Sequence, residues 1–190
     1  RPAQTLTPIM RKLVVDSVTT LGHGPADARE RAGDARAYAV ANLEQLHGSI
    51  REQFGRRGIG YHRVATAEEA NETVRALLGR AKRVAKSKSM LTEECGLNPY
   101  LEARGIEVVD TDLGERIVQL AGEPPSHIIF PAIHRKREEI GDLFHAKLGT
   151  PAGLADPKAL TEAARVHLRE RFMTADAGMT GVNFAVAETG

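Results

Sequence analysis

Short apolar segments alternate with helical patterns along most of the chain, and this alternation limits the possible folds more than any other feature of the sequence. The spacing of the apolar residues predicts strands at residues 59–64, 82–86, 106–109, 127–130 and 183–187, with helical patterns between successive strands. Strands that are joined by helices pair in parallel. The sequence therefore predicts an α/β fold with a mainly parallel sheet and helices on both faces. In such folds, ligands bind beyond the carboxyl ends of the strands.

Several helices have recognisable boundaries. Thr66 is followed three residues later by Glu69, which is the spacing of a capping box. Asp156 before Pro157 predicts a helix start, because the carboxylate caps free amides and proline fits the first helical position. The residues of this last helix that we expect to be buried are Leu160, Ala164, Leu168 and Phe172. Another helix is predicted at residues 92–104, where Gly105 ends it.

The first part of the chain predicts a helical arm. A long helical pattern begins near Pro25 and ends at Gly55. Its apolar stripe is narrow and rich in alanine, which indicates a helix that lies across another surface rather than in a core. That surface belongs either to the same chain or to a second copy, so a homodimer through the arm is one of two open alternatives. We divide the sequence into an N-terminal helical arm at 1–57 and an α/β domain at 58–190.

Composition and charge exclude several functions. The net charge is +1, tryptophan is absent and aromatic residues make up 4%, so we expect no binding to nucleic acid. No apolar run approaches the roughly 20 residues that cross a bilayer. Residues 1–10 also lack the apolar core of a signal peptide. We therefore expect a cytoplasmic protein without a transmembrane segment.

A single cysteine, Cys95, limits the redox chemistry of the chain. One thiol forms no internal disulfide and cannot provide the four thiolates of an iron-sulfur cluster. The seven histidines show no spacing typical of metal ligands. The sequence therefore predicts no metal site and no cofactor held by this chain itself.

The segment from Thr73 to Thr92 contains six basic residues and no acidic one. Within it, Lys86-Ser87-Lys88-Ser89 follows a predicted strand and precedes a predicted helix. Lysines and hydroxyls before a helix N-terminus are typical of a site for phosphate or carboxylate, although the glycines of a P-loop are missing. The alternative is a solvated basic loop in which Ser89 or Thr92 caps the helix, and the pattern alone favours this alternative.

Carboxylates follow the strand predicted at 106–109. They are Asp110, Asp112 and Glu115. Carboxylates at this position are suited to bind hydroxyl groups or a cation, or to act as a base. They are equally suited to cap the following short helix, which is the more common reason for aspartate in such a loop.

A histidine and a glutamate follow two further predicted strands. His134 comes after the strand predicted at 127–130, and its side chain is suited to proton transfer or anion binding. Glu188 closes the strand predicted at 183–187 and is suited to act as a nucleophile, a base or a ligand clamp. The alternative for Glu188 is a charge that ends a strand before a glycine turn.

Four segments, in order along the chain, resemble the LUD domain of lactate-utilisation proteins. They are Lys86 to Glu94 (KSKSMLTEE), Gly105 to Glu115 (GIEVVDTDLGE), Pro124 to His134 (PPSHIIFPAIH) and Gly181 to Gly190 (GVNFAVAETG). The resemblance begins near residue 36 and is closest to the iron-sulfur subunit of the L-lactate oxidation complex. Four ordered motifs are more specific than any one of them.

The resemblance implies a fold like that of the glucosamine-6-phosphate deaminase, ribose-5-phosphate isomerase and CoA-transferase superfamily. It also implies a part in oxidising L-lactate to pyruvate, together with other lactate-utilisation subunits and iron-sulfur clusters. Full-length members continue past the segment that ends here at Gly190, and a cysteine-rich region follows. We therefore expect this domain to be incomplete and the clusters to lie in that later region or in partner subunits.

The resemblance and the strand-end residues together predict a site for a small anion such as L-lactate. We expect His134 and Glu188 to handle a proton. The residues expected to bind the anion are Lys86, Ser87, Lys88, Ser89, Thr92, Glu93, Asp112, Thr180, Asn183, Thr189 and Gly190. Two alternatives stay open. Glu188 begins a segment resembling the one with which CoA-transferases form a thioester, which would indicate an acyl-transfer or sugar-phosphate enzyme, whereas a domain without catalysis would serve as a scaffold.

Overall fold

The computed structural model describes residues 24–190 of the chain. These residues form eight helices and three strands. The helices are α1 (Pro25–Ala41), α2 (Leu43–Arg56), α3 (Ala67–Leu78), α4 (Met90–Glu94), α5 (Leu97–Glu102), α6 (Leu113–Ala121), α7 (Arg137–Leu148) and α8 (Pro157–Met173). The strands are β1 (Arg83–Lys86), β2 (Glu107–Asp110) and β3 (Ala177–Met179). The chain divides into two compact units, one with residues 24–61 and Phe184–Gly190, the other with His62–Asn183.

Two helices that the sequence predicts as continuous are each divided in two. The pattern that begins at Pro25 forms α1 and α2, with Asn42 between them. Asn42 has φ −120° and ψ 26°, and its side chain donates a hydrogen bond to the carbonyl of Tyr38 at 2.9 Å. Asparagine side chains compete in this way with helical hydrogen bonds. The helix predicted at 92–104 is divided into α4 and α5 by Gly96, which has a positive φ of 61° that favours glycine.

The second unit is an α/β fold with a parallel sheet, as the alternation of helices and strands predicts. The strand order is β2-β1-β3, and both pairings are parallel. The register of β1 and β2 places Arg83 beside Glu107 and Lys86 beside Asp110. The last residues of the two strands are therefore neighbours at the carboxyl edge of the sheet. The likeness to the deaminase, isomerase and CoA-transferase superfamily stays a prediction.

A buried core forms on one face of this sheet. The residues of β1 and β2 that point to this face pack against α5 and the segment that follows it. The buried members of the cluster are Val84, Leu97, Leu101, Ile106 and Val108. Ala85 and Val109 point to the opposite face, because successive side chains of a strand alternate, and they are buried as well. Both faces of the sheet are therefore shielded from water.

A second core forms where α6, α7 and α8 meet. Its buried members are Ile117, Phe144, Leu160 and Ala164. The predicted start of α8 is confirmed, because Asp156 accepts a hydrogen bond from the NH of Ala159 at 2.8 Å. Thr66 caps α3 in the same way, accepting from the NH of Glu69 at 3.1 Å. Phe172, which we predicted to be buried, is 58% exposed.

Three predicted strands are wrong. Residues 59–64, 127–130 and 183–187 do not form strands. In the second of these segments, the ring of His127 accepts hydrogen bonds from the backbone NH groups two and three residues later, so the apolar run folds into a turn. In place of the last predicted strand, Ala177–Met179 pairs with β1. An alternating apolar pattern is not sufficient for a strand, because a strand also needs a neighbour to which its backbone can bond.

The helices differ in how far they are buried. None of the residues of α2 is buried, whereas α6 buries the four consecutive residues from Glu115 to Val118. Two of those four, Glu115 and Arg116, carry a charge. Within residues 24–190, no helix combines the length and the apolar character that crossing a membrane requires.

Candidate functional site

The carboxyl edge of the sheet carries a buried ion pair. Lys86, the last residue of β1, is 1% exposed, and its Nζ lies 2.8 Å from Oδ1 of Asp110, the last residue of β2. A second carboxylate, that of Glu93, places Oε1 3.2 Å from the same Nζ. Asn98 completes the arrangement by donating a hydrogen bond from Nδ2 to Oδ2 of Asp110 at 3.0 Å. The charge of Lys86 is therefore balanced within the chain.

The two carboxylates keep Lys86 protonated. Burial alone would lower the pKa of this amine, but hydrogen bonds and charge from Asp110, and then from Glu93, outweigh burial and raise the pKa above its ordinary value. An amine with a raised pKa is a poor general base and a poor nucleophile near neutral pH. Lys86 can therefore supply a fixed positive charge, but it cannot accept a proton from a substrate.

The other lysine of this loop is neutralised in a similar way. Nζ of Lys88 lies 2.8 Å from Oε1 of Glu115, whose side chain is 6% exposed. Asp112 forms no ion pair with either lysine; its Oδ1 accepts hydrogen bonds from the NH groups of Gly114 and Glu115 at 3.1 and 3.3 Å and so caps α6. We call Lys86, Lys88, Glu93, Asp110 and Glu115 the strand-end cluster. It contains two cations and three carboxylates, so its own charge does not favour an additional anion.

Hydroxyl groups join the loops that follow β1 and β3. Oγ of Ser87 donates to Oγ1 of Thr180 at 2.9 Å, and the NH of Ser87 donates to the carbonyl of Met179 at 2.9 Å. Oγ1 of Thr92 donates to the carbonyl of Ser89 at 2.7 Å. The predicted site residues that the structure brings together at this edge are Lys86, Ser87, Lys88, Ser89, Thr92, Glu93, Asp112 and Thr180.

His134 has a partner at each ring nitrogen. Its Nδ1 lies 2.8 Å from Oγ of Ser126, and its Nε2 lies 3.0 Å from Oε2 of Glu123. Arg135 binds the same carboxylate, and hydrogen bonds from Arg135 and then His134 hold the pKa of Glu123 below its ordinary value. Because no strand precedes His134, its predicted position at a strand end is wrong. A proton transfer to a substrate would require His134 to give up one of these partners.

The last three predicted site residues belong to the compact unit that does not contain the sheet. Glu188, Thr189 and Gly190 belong to the unit that contains α2, where Gly190 lies close to Phe54. Glu188 is exposed and follows a turn, not a strand, and the NH of Gly190 donates to the carbonyl of Val186 at 2.8 Å. This arrangement removes the strand-end position on which the acyl-transfer alternative depended. Asn183 is exposed at the end of the other unit.

The described residues do not fit a metal ion or an iron-sulfur cluster. No group of three or more histidine, cysteine or acidic side chains within residues 24–190 could hold a metal. Cys95 is a free, partly buried thiol, and its backbone carbonyl accepts a hydrogen bond from the side chain of Asn71 at 2.7 Å. This contact fixes α3 to the turn after α4.

A comparison with known protein families agrees with the resemblance of the four sequence segments. Residues 49–190 match the LUD domain. The chain belongs to the LUD domain family. No solved structure matches this chain significantly.

Relatives of this LUD domain are found in several bacteria. Lactate utilization protein B of Geobacillus thermodenitrificans is 46% identical over 176 residues, which cover 91% of this chain and 37% of the relative. Lactate utilization protein B of Oceanobacillus iheyensis is 44% identical over 86% of this chain and 34% of the relative. The Uncharacterized electron transport protein YkgF of Escherichia coli is 40% identical over 96% of this chain and 41% of the relative. The chain therefore spans less than half the length of the relatives it matches.

Proposed function

We propose that this LUD domain belongs to a lactate-utilisation protein and takes part, within an iron-sulfur complex, in oxidising L-lactate to pyruvate. The observation that carries the proposal is the 46% identity over 91% of the chain to a relative named Lactate utilization protein B. The name of the Escherichia coli relative adds electron transport to this picture. Because these relatives are more than twice as long as the chain, the proposal concerns the activity of the whole protein.

Within that complex, we propose that the domain binds a small anion at the carboxyl edge of its sheet. This edge is where parallel α/β folds bind ligands. The pairing of Lys86 and Lys88 with carboxylates gives these two lysines a structural part in the site. The hydroxyls of Ser87 and Thr180 join the loops after β1 and β3 at the same edge.

The electrons from lactate need an acceptor outside the described residues. Side chains of the kinds found at this edge do not store two electrons. The proposal places iron-sulfur clusters in other parts of the whole protein or in partner subunits, and other lactate-utilisation subunits are the expected partners. The proposal also places the complex in the cytoplasm. For the arm formed by α1 and α2, both alternatives stay open: it packs on its own chain or on a second copy.

Reconstitution of the complex tests this proposal. The complete protein that carries this domain would be combined with its partner subunits, and lactate-dependent reduction of a dye would be measured with and without it. We expect reduction to require the protein. Equal rates in both mixtures would rule out a direct role in lactate oxidation and would favour a scaffold that acts only in assembly.

A further inference from the structure

The loop between α6 and α7 is closed by hydrogen bonds at its base. We call residues 122–136 the α6–α7 loop. The NH of Ser126 donates to the carbonyl of Pro131 at 3.0 Å, and Oγ of Ser126 donates to the same carbonyl at 2.9 Å. At the tip of the loop, the side chains of Ile128 and Ile129 are 63% and 61% exposed. The base therefore fixes where two large apolar side chains meet the solvent.

One side of this base is anchored on the helices of the second unit. Pro131 lies against α6, because a Cβ added to Gly114 would come within 3.0 Å of the proline ring. Ala132 packs on the core formed by α6, α7 and α8. The other side of the base, residues 123–126, is joined to the anchored side by hydrogen bonds, and His134 takes part in two of them. The closure of the loop therefore depends on this histidine.

Both partners of His134 act as acceptors in this arrangement. Nδ1 of His134 lies 2.8 Å from Oγ of Ser126, whose single proton is already used in the bond to Pro131. Nε2 lies 3.0 Å from Oε2 of Glu123, and an ionised carboxylate has no proton to donate. All three hydrogen bonds form together only if each ring nitrogen carries a proton. A histidine ring with two protons has a positive charge.

The neutral form of the ring cannot keep the same three bonds. With one proton, His134 donates either to Glu123 or to Ser126. The hydroxyl of Ser126 can then turn toward Nδ1, but it gives up the carbonyl of Pro131. Loss of the second ring proton therefore removes one hydrogen bond from the base of the loop. Histidine is the side chain that exchanges such a proton near neutral pH.

The charged groups around His134 come from three places. Glu123, which follows α6, provides the negative charge that favours the doubly protonated ring. Arg135 binds the same carboxylate and opposes a second cation beside it, while Glu139 of α7 attracts Arg135 in turn. Two cationic partners keep the carboxylate of Glu123 ionised, so this acceptor persists near neutral pH. The group that changes its charge in this range is the histidine.

We infer that the α6–α7 loop is a pH-sensitive latch, which the doubly protonated ring of His134 closes and which loosens when this ring loses a proton. The closed latch fixes the exposed tip that Ile128 and Ile129 form. It also leaves Ser126 unsuited to act as a nucleophile, because the hydroxyl donates to a carbonyl and not to the ring. The inference depends on the geometry of the loop alone and is independent of the proposed function.

Hydrogen–deuterium exchange of the complete protein that carries this domain tests the latch. Exchange of peptides that cover residues 122–136 would be measured at about pH 6 and about pH 8 and corrected for the intrinsic effect of pH on exchange. We expect the corrected exchange to be about tenfold faster at the higher pH, the effect of losing one hydrogen bond to a charged group. Peptides of α8 are the internal reference, because a loss of global stability would accelerate their exchange as well.

Substitutions show whether His134 causes this response. His134→Gln is neutral at both pH values, so the loop should exchange fast at both. Ser126→Ala should have the same effect, because the bond to the ring and the hydroxyl's bond to Pro131 are both lost. His145→Gln is the matched control, since His145 is an exposed histidine of α7 that contacts the carbonyl of Thr150, and it should keep the response. Exchange that does not change with pH in the unaltered protein, or that changes equally in His134→Gln, would overturn the inference.

The protonation of the ring can be measured directly. Nuclear magnetic resonance of the complete protein labelled with ¹⁵N-histidine reports the state of each ring nitrogen, and the signals of His134 are those that His134→Gln lacks. We expect two protonated ring nitrogens at about pH 6 and one at about pH 8. A ring with a single proton at the lower pH, in a loop that is still protected from exchange, would overturn the inference, because the closed loop would then not need the charge.

Discussion

The strand-end cluster and the exposed part of α8 that carries Arg169 treat positive charge in opposite ways. In the cluster, the ammonium groups of Lys86 and Lys88 each lie 2.8 Å from a carboxylate oxygen of the same chain. On α8, the guanidinium of Arg169 has no such partner within the described residues. A cation that the fold has already neutralised contributes to stability, and a cation that the fold leaves unpaired is available to a ligand.

This contrast explains why the number of basic residues in the loop overstates the positive charge that a ligand would meet there. Six basic residues without an acidic one between Thr73 and Thr92 suggest a positive field. The fold brings carboxylates from α4, β2 and α6 to the two lysines of that loop, so the charges of these two lysines are already neutralised. Burying a charge is costly unless a partner compensates it, and a nearly fully buried lysine at a strand end therefore predicts a carboxylate nearby.

Replacement of the most buried cation should have the largest effect. In Lys86→Gln, the buried carboxylate of Asp110 loses its partner, and we expect the free energy of unfolding to fall by about 3–5 kcal/mol. Urea unfolding followed by circular dichroism measures this change. Lys158→Gln on the exposed surface of α8 is the control and should stay within about 0.5 kcal/mol of the unaltered protein. A comparably small change in Lys86→Gln would mean that the pair does not hold the sheet edge together.

Replacement of Lys88, the second lysine of the cluster, should also lower the free energy of unfolding, but by a smaller amount. Its side chain is 26% exposed, so water compensates part of the loss, and we expect Lys88→Gln to destabilise the protein by about 1–3 kcal/mol through the unpaired Glu115. Adding Glu115→Gln to Lys88→Gln should restore part of the stability, because the buried charge is then removed. A double-mutant cycle in urea measures this coupling. Strictly additive losses would show that the two side chains do not stabilise each other.

The caps of the helices and the parallel direction of the sheet were predictable from the sequence, but which apolar segments pair as strands was not. Caps at Thr66 and Asp156 depend on neighbouring residues, and both predictions are confirmed. Strands depend on distant partners, and the apolar runs at 127–130 and 183–187 find none, although their alternation resembles that of a strand. The side chain of His127 competes for the backbone groups of the first run, which a count of apolar residues does not reveal.

The same limit applies to the candidate site. Strand ends carry Lys86 and Asp110, as the sequence predicts, but only the parallel register shows that these two residues neutralise each other. Opposite charges at the last positions of consecutive strands were the available signal. Arg165 and Arg169 are four residues apart on α8, which places them on one helix face, but nothing local indicates that Thr111 lies near that face. Such combinations of distant residues become visible only in the folded chain.

Arg116 is intermediate between these two kinds of cation, because its partner is a neutral histidine ring and not a carboxylate. Arg116 is 8% exposed and donates a hydrogen bond from Nη2 to Nε2 of His167 at 3.0 Å. Since arginine only donates, Nε2 must accept, and the ring is neutral with its proton on Nδ1. Burial, and then the charges of Arg116 and Arg171, lower the pKa of His167 below its ordinary value of 6.5.

The lowered pKa of His167 predicts how stability depends on pH. The unfolded chain binds a proton at this histidine more readily than the folded chain, so the stability should be full above pH 6.5 and fall as the pH drops toward the lower pKa of the folded state. In His167→Gln, the fall in stability that comes from protonation of this histidine should be absent. Urea unfolding at about pH 7.5 and about pH 5.5 compares the two proteins across that window. The same pH dependence in both would show that other groups control acid stability.

Replacement of the unpaired Arg169 should give the smallest change in stability, and this change should be a gain where the lysine substitutions give a loss. Arg169 lies one helical turn after Arg165, and like charges at this spacing destabilise a helix by about 0.2–0.5 kcal/mol. Arg169→Gln should therefore leave the free energy of unfolding unchanged or raise it by this amount, and the gain should disappear at high salt because surface charges are then screened. Urea unfolding at low and high ionic strength, with Arg137→Gln as the control, measures both effects. A clear loss of stability in Arg169→Gln would mean that this guanidinium already has a structural partner, and the distinction between neutralised and available cations would then be wrong.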